Sequence, residues 1–242
     1  MDNFTSLLDC LLRGLQLSNK KTFIYRVVYV GQHTYQNLNQ LFEYFKNNIQ
    51  KCNSAFCDEK LSGFLLIYDS LLIHMVEGSE ESIVNHFQIL CDDMDNSADL
   101  SNLRVLIVWP HVPYRKTSNW FAYKGTPNES DNVITSTCQA SPFVQQCLNS
   151  MCRLAEALDQ KLEKGPSGKE IDGNTLTLET VPSELVSKLP ETGQVMFLTT
   201  CSVLLTVHKM LESTSEIPRI PYSEIIWPTP SKYIPRDVLK DR

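Results

Sequence analysis

The chain has 242 residues, 42% of them apolar and 21% charged, with a formal net charge of -6. This is the composition of a globular protein long enough to bury a sizeable core, and its negative balance excludes a general electrostatic attraction to nucleic acid or to an anionic membrane surface. The longest apolar run, Val195 to Val207, falls well short of the ~20 residues that cross a bilayer, so no membrane span is expected.

In chain order, Phe4, Leu7, Leu8, Leu11, Leu12 and Leu15 fall on one helical stripe and predict a short amphipathic N-terminal helix within residues 1–21. Residues 22–31, TFIYRVVYVG, are β-branched and aromatic and predict the first strand. Thr34 is placed to cap a helix in which Leu38, Leu41, Phe42, Phe45 and Ile49 recur at helical spacing. A polar loop follows from about Cys52 to Glu59.

Residues 61–78, LSGFLLIYDSLLIHMVEG, read as a hairpin of two buried strands around Asp69-Ser70. A two-stranded ribbon buries too little to stand alone, so it needs flanking strands and a covering helix. Ser79 caps the next helix, whose first turn carries Glu80 and Glu81 beside the positive end of the helix dipole. Its inward face is read as Ile83, Val84, Phe87, Leu90 and Cys91. Leu103 to Trp109 is a buried strand, and Trp120 to Tyr123 a short one.

Strand, helix, hairpin, helix, strand is the order of a split βαβ unit. Right-handed crossovers then give an α+β, ferredoxin-like sandwich over residues 22–125, with both helices on one face of the sheet. The other face is apolar and needs its own cover. Residues 126–216 supply it as a helical extension. Ser141 and Pro142 are placed to start a helix carrying Phe143, Cys147, Leu148, Met151, Leu154, Ala155, Leu158 and Leu162 in one stripe. Residues 163–174 predict a loop, 179–190 carry no clear pattern, and 194–212 predict one helix that is apolar nearly all round.

Residues 217–242 form a Pro-rich extended arm, with five prolines between 217 and 235. Tyr222, Ile226, Trp227 and Tyr233 on that arm are large apolar groups suited to binding a partner protein.

Eight cysteines are present. Asp2 and Asp9 stand where an export signal would need a basic segment, so a cytoplasmic setting with reduced thiols is expected. Cys52 and Cys57, like Cys147 and Cys152, are five apart and no CxxC pair occurs. No metal site is therefore expected, and the cysteines read as small core residues. HExxH, GxSxG, P-loop and GxGxxG patterns are absent from the sequence, so no catalytic residue is assigned.

Three segments carry a resemblance. YRVVYVG at 25–31, LSGFLLIY at 61–68 and LIHMVEG at 72–78 resemble, in order, the strand motifs of the BLUF domain, a blue-light sensor that uses FAD. The resemblance implies a ferredoxin-like fold with the flavin held between the two helices. It places Tyr29 at the photoactive tyrosine, and Ser62-Gly63 and Glu77-Gly78 at the structural signature. His74 falls where the switching glutamine stands, Phe56 where an asparagine binds the isoalloxazine ring, and Trp120 at the late tryptophan, with Ala122 at the methionine that follows it.

Replacing an amide by phenyl at Phe56 removes donor and acceptor together, about 1 to 3 kcal/mol per group left unsatisfied. Tyr29, Phe56, His74 and Trp120 therefore outline a degenerate cofactor site, although a histidine or tyrosine on an inward strand also serves as a packed, hydrogen-bonded core residue.

The whole order further resembles a group of BLUF-like proteins of male germ cells, which implies a sperm flagellar or axonemal setting. The leading expectation is a non-enzymatic interaction protein, without cofactor, held among protein partners in a larger assembly. The alternative is an FAD-binding blue-light or redox sensor in which Tyr29 and His74 face the flavin. A third reading, a small-molecule sensor, predicts a sizeable pocket beside Tyr29, Phe56 and His74.

Overall fold

The computed structural model describes residues 13–16, 23–55, 59–127, 140–163 and 178–215. The predicted N-terminal helix is described only at 13–16, which are helical. The predicted loop at 163–174, apart from its first residue, and the whole arm from 217 lie outside the described residues. Residues Met1–Leu211 form one compact unit and Glu212–Arg242 a second.

From Ile24 onward, seven strands and five α-helices are described. The strands are β1 (Ile24–His33), β2 (Ser62–Ile67), β3 (Leu71–Gly78), β4 (Leu100–Val112), β5 (Trp120–Lys124), β6 (Glu179–Thr180) and β7 (Leu205–Thr206). The helices are α1 (Leu38–Ala55), α2 (Glu80–Asn96), α3 (Ala140–Glu163), α4 (Thr192–Thr200) and α5 (Val207–Ser215), with a 3-10 helix at Ser183–Lys188. The strands form one sheet in the order β6-β5-β2-β3-β1-β4-β7.

Its centre, β2-β3-β1-β4, is antiparallel throughout. That order is what two interleaved right-handed βαβ units produce, so the central sheet with α1 and α2 is the ferredoxin-like sandwich that the element order implied. β5 adds parallel to β2 at one side.

Strand alternation sorts the sheet into two cores. Val27, Tyr29, Leu65, Ile67, Leu72 and Val76 meet Leu41, Phe42, Phe45 and Ile49 of α1 and Ile83, Phe87 and Leu90 of α2. On the opposite face Val28, Val30, Phe64, Leu66, Ile73 and Met75 meet Cys147, Leu148, Met151, Leu154, Ala155 and Leu158 of α3 and Val195 and Leu198 of α4. The apolar stripe of α3 thus covers the face that would otherwise be bare. Every residue of β2 and β3 is buried, as befits strands covered on both sides.

The elements depart from the sequence expectations in several places. Helix α1 starts at Leu38 rather than just after Thr34. The side chain of Asn37, not Thr34, caps it, its Oδ1 accepting from the Asn39 amide at 3.0 Å, while the Thr34 amide donates to the Asp99 carbonyl at 3.0 Å. Helix α3 begins at Ala140, so Ser141 and Pro142 lie in its first turn instead of at cap and first position. The inward face of α2 holds Ser82, Ile83, His86, Phe87, Leu90 and Cys91; Val84 is only half-buried, and His86 takes the inward place. Its cap is as expected, with Ser79 Oγ accepting from the Ser82 amide at 3.2 Å.

The single helix expected over 194–212 is two helices, α4 and α5, separated by a turn and by β7. Thr199 and Thr200 hydroxyls turn back to the Met196 and Phe197 carbonyls at 2.7 and 3.1 Å, which competes with continuing the helix. Arg104 of β4 then takes the freed carbonyls, Nη1 donating to Leu204 at 2.9 Å and Nε to Thr199 at 3.4 Å.

Candidate functional site

Tyr29 on β1 and His74 on β3 are cross-strand partners in the sheet register, and both point to the α1/α2 face. Trp120 enters from the start of β5, paired with Gly63 of β2. Two helix residues complete the group, Asn48 from α1 and His86 from α2. Tyr29, His74 and His86 are fully buried, Asn48 is 2% exposed and Trp120 6%.

These five side chains make one continuous hydrogen-bonded chain. Trp120 Nε1 donates to His74 Nε2 at 2.9 Å. His74 Nδ1 and Tyr29 Oη are 2.7 Å apart, Tyr29 Oη and His86 Nε2 are 2.9 Å apart, and His86 Nδ1 and Asn48 Oδ1 are 2.7 Å apart. The Cys52 thiol also donates to Asn48 Oδ1, at 3.6 Å. Aromatic rings close around the chain: Phe87 lies edge-on to Tyr29 at 5.2 Å, Phe45 edge-on to His74 at 5.3 Å, and Phe42 stacks on Trp120 at 5.9 Å.

Burial sets the protonation of the group. It holds His74 well below the ordinary imidazole range, with His86 adding to the effect, and holds His86 down to about 3. The Tyr29 phenol is pushed well above its ordinary value, by burial first and then by Tyr44, Cys52 and Cys91. Each shift favours the uncharged form, as expected where a charge would have no water around it.

On the α3 side of the same strands lies a second polar group. Glu77 of β3 is fully buried. Its Oε1 takes Arg26 Nε at 2.6 Å and its Oε2 takes the Lys116 and Thr117 amides at 2.8 and 3.2 Å. Arg115 Nη1 donates to the Glu77 carbonyl at 2.8 Å and to Ser62 Oγ at 2.9 Å. The signature residues Ser62 and Glu77 therefore pin the segment between β4 and β5, which delivers Trp120 to His74. Gly63 sits beside them with φ +157°, where a Cβ would come 2.2 Å from the Met75 carbonyl oxygen.

The family model of testis-expressed protein 47 matches residues 23–214. The chain belongs to that family. Among solved structures, it is similar to the BLUF domain of BlrP1, at 14% identity over 43% of this chain and 65% of that one, TM-score 0.33. It is also similar to a bacterial light-regulated adenylyl cyclase, at 17% identity over 57% of this chain and 36% of that one, TM-score 0.33. A third similarity is to the BLUF protein BlrB in its dark state, at 11% identity over 61% of this chain and 89% of that one, TM-score 0.33. The chain spans less than two thirds of the length of the first two.

In this member of the testis-expressed protein 47 family, three of the four residues read as a degenerate cofactor site, Tyr29, His74 and Trp120, come together, His74 bonding to each of the other two. Phe56 lies outside the described residues, as do Tyr222, Ile226, Trp227 and Tyr233. A flavin presents a flat tricyclic ring with alternating acceptors and donors along its pyrimidine edge, and needs complementary groups facing it. Here the polar atoms of Tyr29, His74, His86 and Trp120 are engaged with each other. Within this group of five side chains, Asn48 Nδ2 has no partner among the described residues. Asn48 Nδ2 alone in this group is left to face another molecule.

Sequence reasoning missed His86 and Asn48. Both sit at helical spacing from residues it placed inward: His86 three after Ile83, and Asn48 three after Phe45. A polar residue on an apolar stripe was the available signal.

Proposed function

We propose that the chain is a non-enzymatic structural and interaction protein, cytoplasmic, working among protein partners in a sperm flagellar (axonemal) assembly. The observation that carries this reading is the closed interior. The polar residues at the heart of a fold of the cofactor-binding type are buried and bonded to one another, which leaves the molecule its surface to work with. Among the described residues no group of three histidine, cysteine or acidic side chains gathers to hold a metal, and no helix is long and apolar enough to cross a membrane.

Tyr114 and Val203 are outward apolar groups, 62% and 71% exposed. The family's description as testis-expressed supports the germ-cell setting. Detergent extraction of sperm tests the reading: the protein is expected to stay with the insoluble axoneme and to leave it only under conditions that disassemble the axoneme. Complete release into the detergent-soluble fraction would contradict it.

A further inference from the structure

We propose that the cleft between α1 and α2 is occupied from within, His86 and Asn48 standing in for a ligand, so that the folded chain takes up no flavin. The inference shares its site with the structural reading above and rests on it. Its basis is the proton order of the chain, which one residue fixes. An indole N–H can only donate, so the His74 Nε2 facing Trp120 is bare and the His74 proton sits on Nδ1. His74 then donates to Tyr29 Oη, Tyr29 donates to His86 Nε2, and His86 donates through Nδ1 to Asn48 Oδ1.

Every bond in that sequence has one donor and one acceptor. Reversing it requires a proton on His74 Nε2, donor against donor at 2.9 Å from Trp120 Nε1. Letting Tyr29 accept from both histidines instead leaves its own hydroxyl proton unbonded in a fully buried place, where an unmade bond is costly. One arrangement alone satisfies the chain, with both imidazoles neutral and none of their nitrogens left to address another molecule.

The chain also joins five elements, β1, β3, β5, α1 and α2. The His86 ring is a flat heteroaromatic group reaching in from α2, and Asn48 supplies the amide that holds its far edge from α1. A tricyclic ring between the helices would have to expel His86 and break the bonds at 2.9 and 2.7 Å on either side of it, leaving the Tyr29 hydroxyl proton without an acceptor and Asn48 Oδ1 with the Cys52 thiol alone.

The test uses the full chain, refolded with and without FAD, FMN or riboflavin, together with the variant His86→Ala. Wild type is expected to retain no flavin after desalting and to show the same melting temperature with and without each one. His86→Ala is expected to melt lower and to regain stability on adding free imidazole, which leaves wild type unmoved. Flavin retained by wild type, or a folded His86→Ala that imidazole does not stabilise, would overturn the proposal. If His86→Ala does not fold, the wild-type melting comparison decides alone: a rise with any flavin overturns it and no rise upholds it. Flavin uptake would refute the occupied cleft whatever the sperm extraction shows, and extraction bears only on the assembly.

Discussion

Replacing Tyr29 by Phe removes one oxygen and leaves the ring, still edge-on to Phe87, where it was. Two hydrogen bonds go with it, to His74 at 2.7 Å and to His86 at 2.9 Å. The His74 Nδ1 proton and the His86 Nε2 lone pair are then stranded in fully buried positions, beyond the reach of solvent. Each stranded group costs about 1 to 3 kcal/mol, and part is recovered as the rings relax, so Tyr29→Phe should lose about 2 to 4 kcal/mol. For a chain of this size that lowers the melting temperature by roughly 5 to 15 °C. Urea unfolding followed by circular dichroism at pH 7.5 gives the number. A loss below about 0.5 kcal/mol, the range of an ordinary surface change, would show that the oxygen is not the junction of the chain.

Acid should destabilise the fold before its carboxylates titrate. In the unfolded chain His86 takes a proton below about 6.5, whereas the folded chain holds it down to about 3. Between those values the unfolded state binds more protons, so stability falls as pH falls. From pH 7.5 to 5.0 His86 alone should cost about 2 kcal/mol. Lowered His74 and His33 act in the same direction, while nearby Cys52 and Cys91, pushed up to about 11, stay neutral. An unchanged urea midpoint would contradict this. Glu77→Ala should lose about 3 to 5 kcal/mol, because it leaves the Arg26 guanidinium buried without its ion pair, and amide exchange at Lys116 and Thr117 should speed up; slow exchange would show that another group holds the segment. Gly63→Ala should be worse than Gly31→Ala in soluble yield and melting temperature. The new methyl meets the Met75 carbonyl in the first case and only the end of the Leu103 side chain in the second; equal effects would argue against the close approach at Gly63.

The sandwich was legible because its determinants are local. The β-branched run of β1, the paired apolar windows around Asp69-Ser70 and the stripes of α1 and α3 each declare a period and a buried face. Covering of the second face by α3 followed from the need to bury it. What was not legible depends on partners far along the chain. His86 finds Tyr29 across 57 residues and Asn48 across 38, and nothing near His86 distinguishes it from a solvent-facing histidine except its place on the stripe. The break between α4 and α5 is likewise made by Arg104, 95 and 100 residues upstream of the carbonyls it takes; composition alone reads that stretch as one helix. Tyr29, His74 and Trp120 were found through family motifs, and the structure shows them facing each other.

The protonation of the two histidines in the intact protein tests the central claim most directly. Nitrogen-15 NMR of the imidazoles should show His74 and His86 both neutral and both carrying the proton on Nδ1, unchanged from pH 8 to pH 5. A proton on Nε2 of either ring, or titration of either within that range, would contradict a closed chain fixed by Trp120.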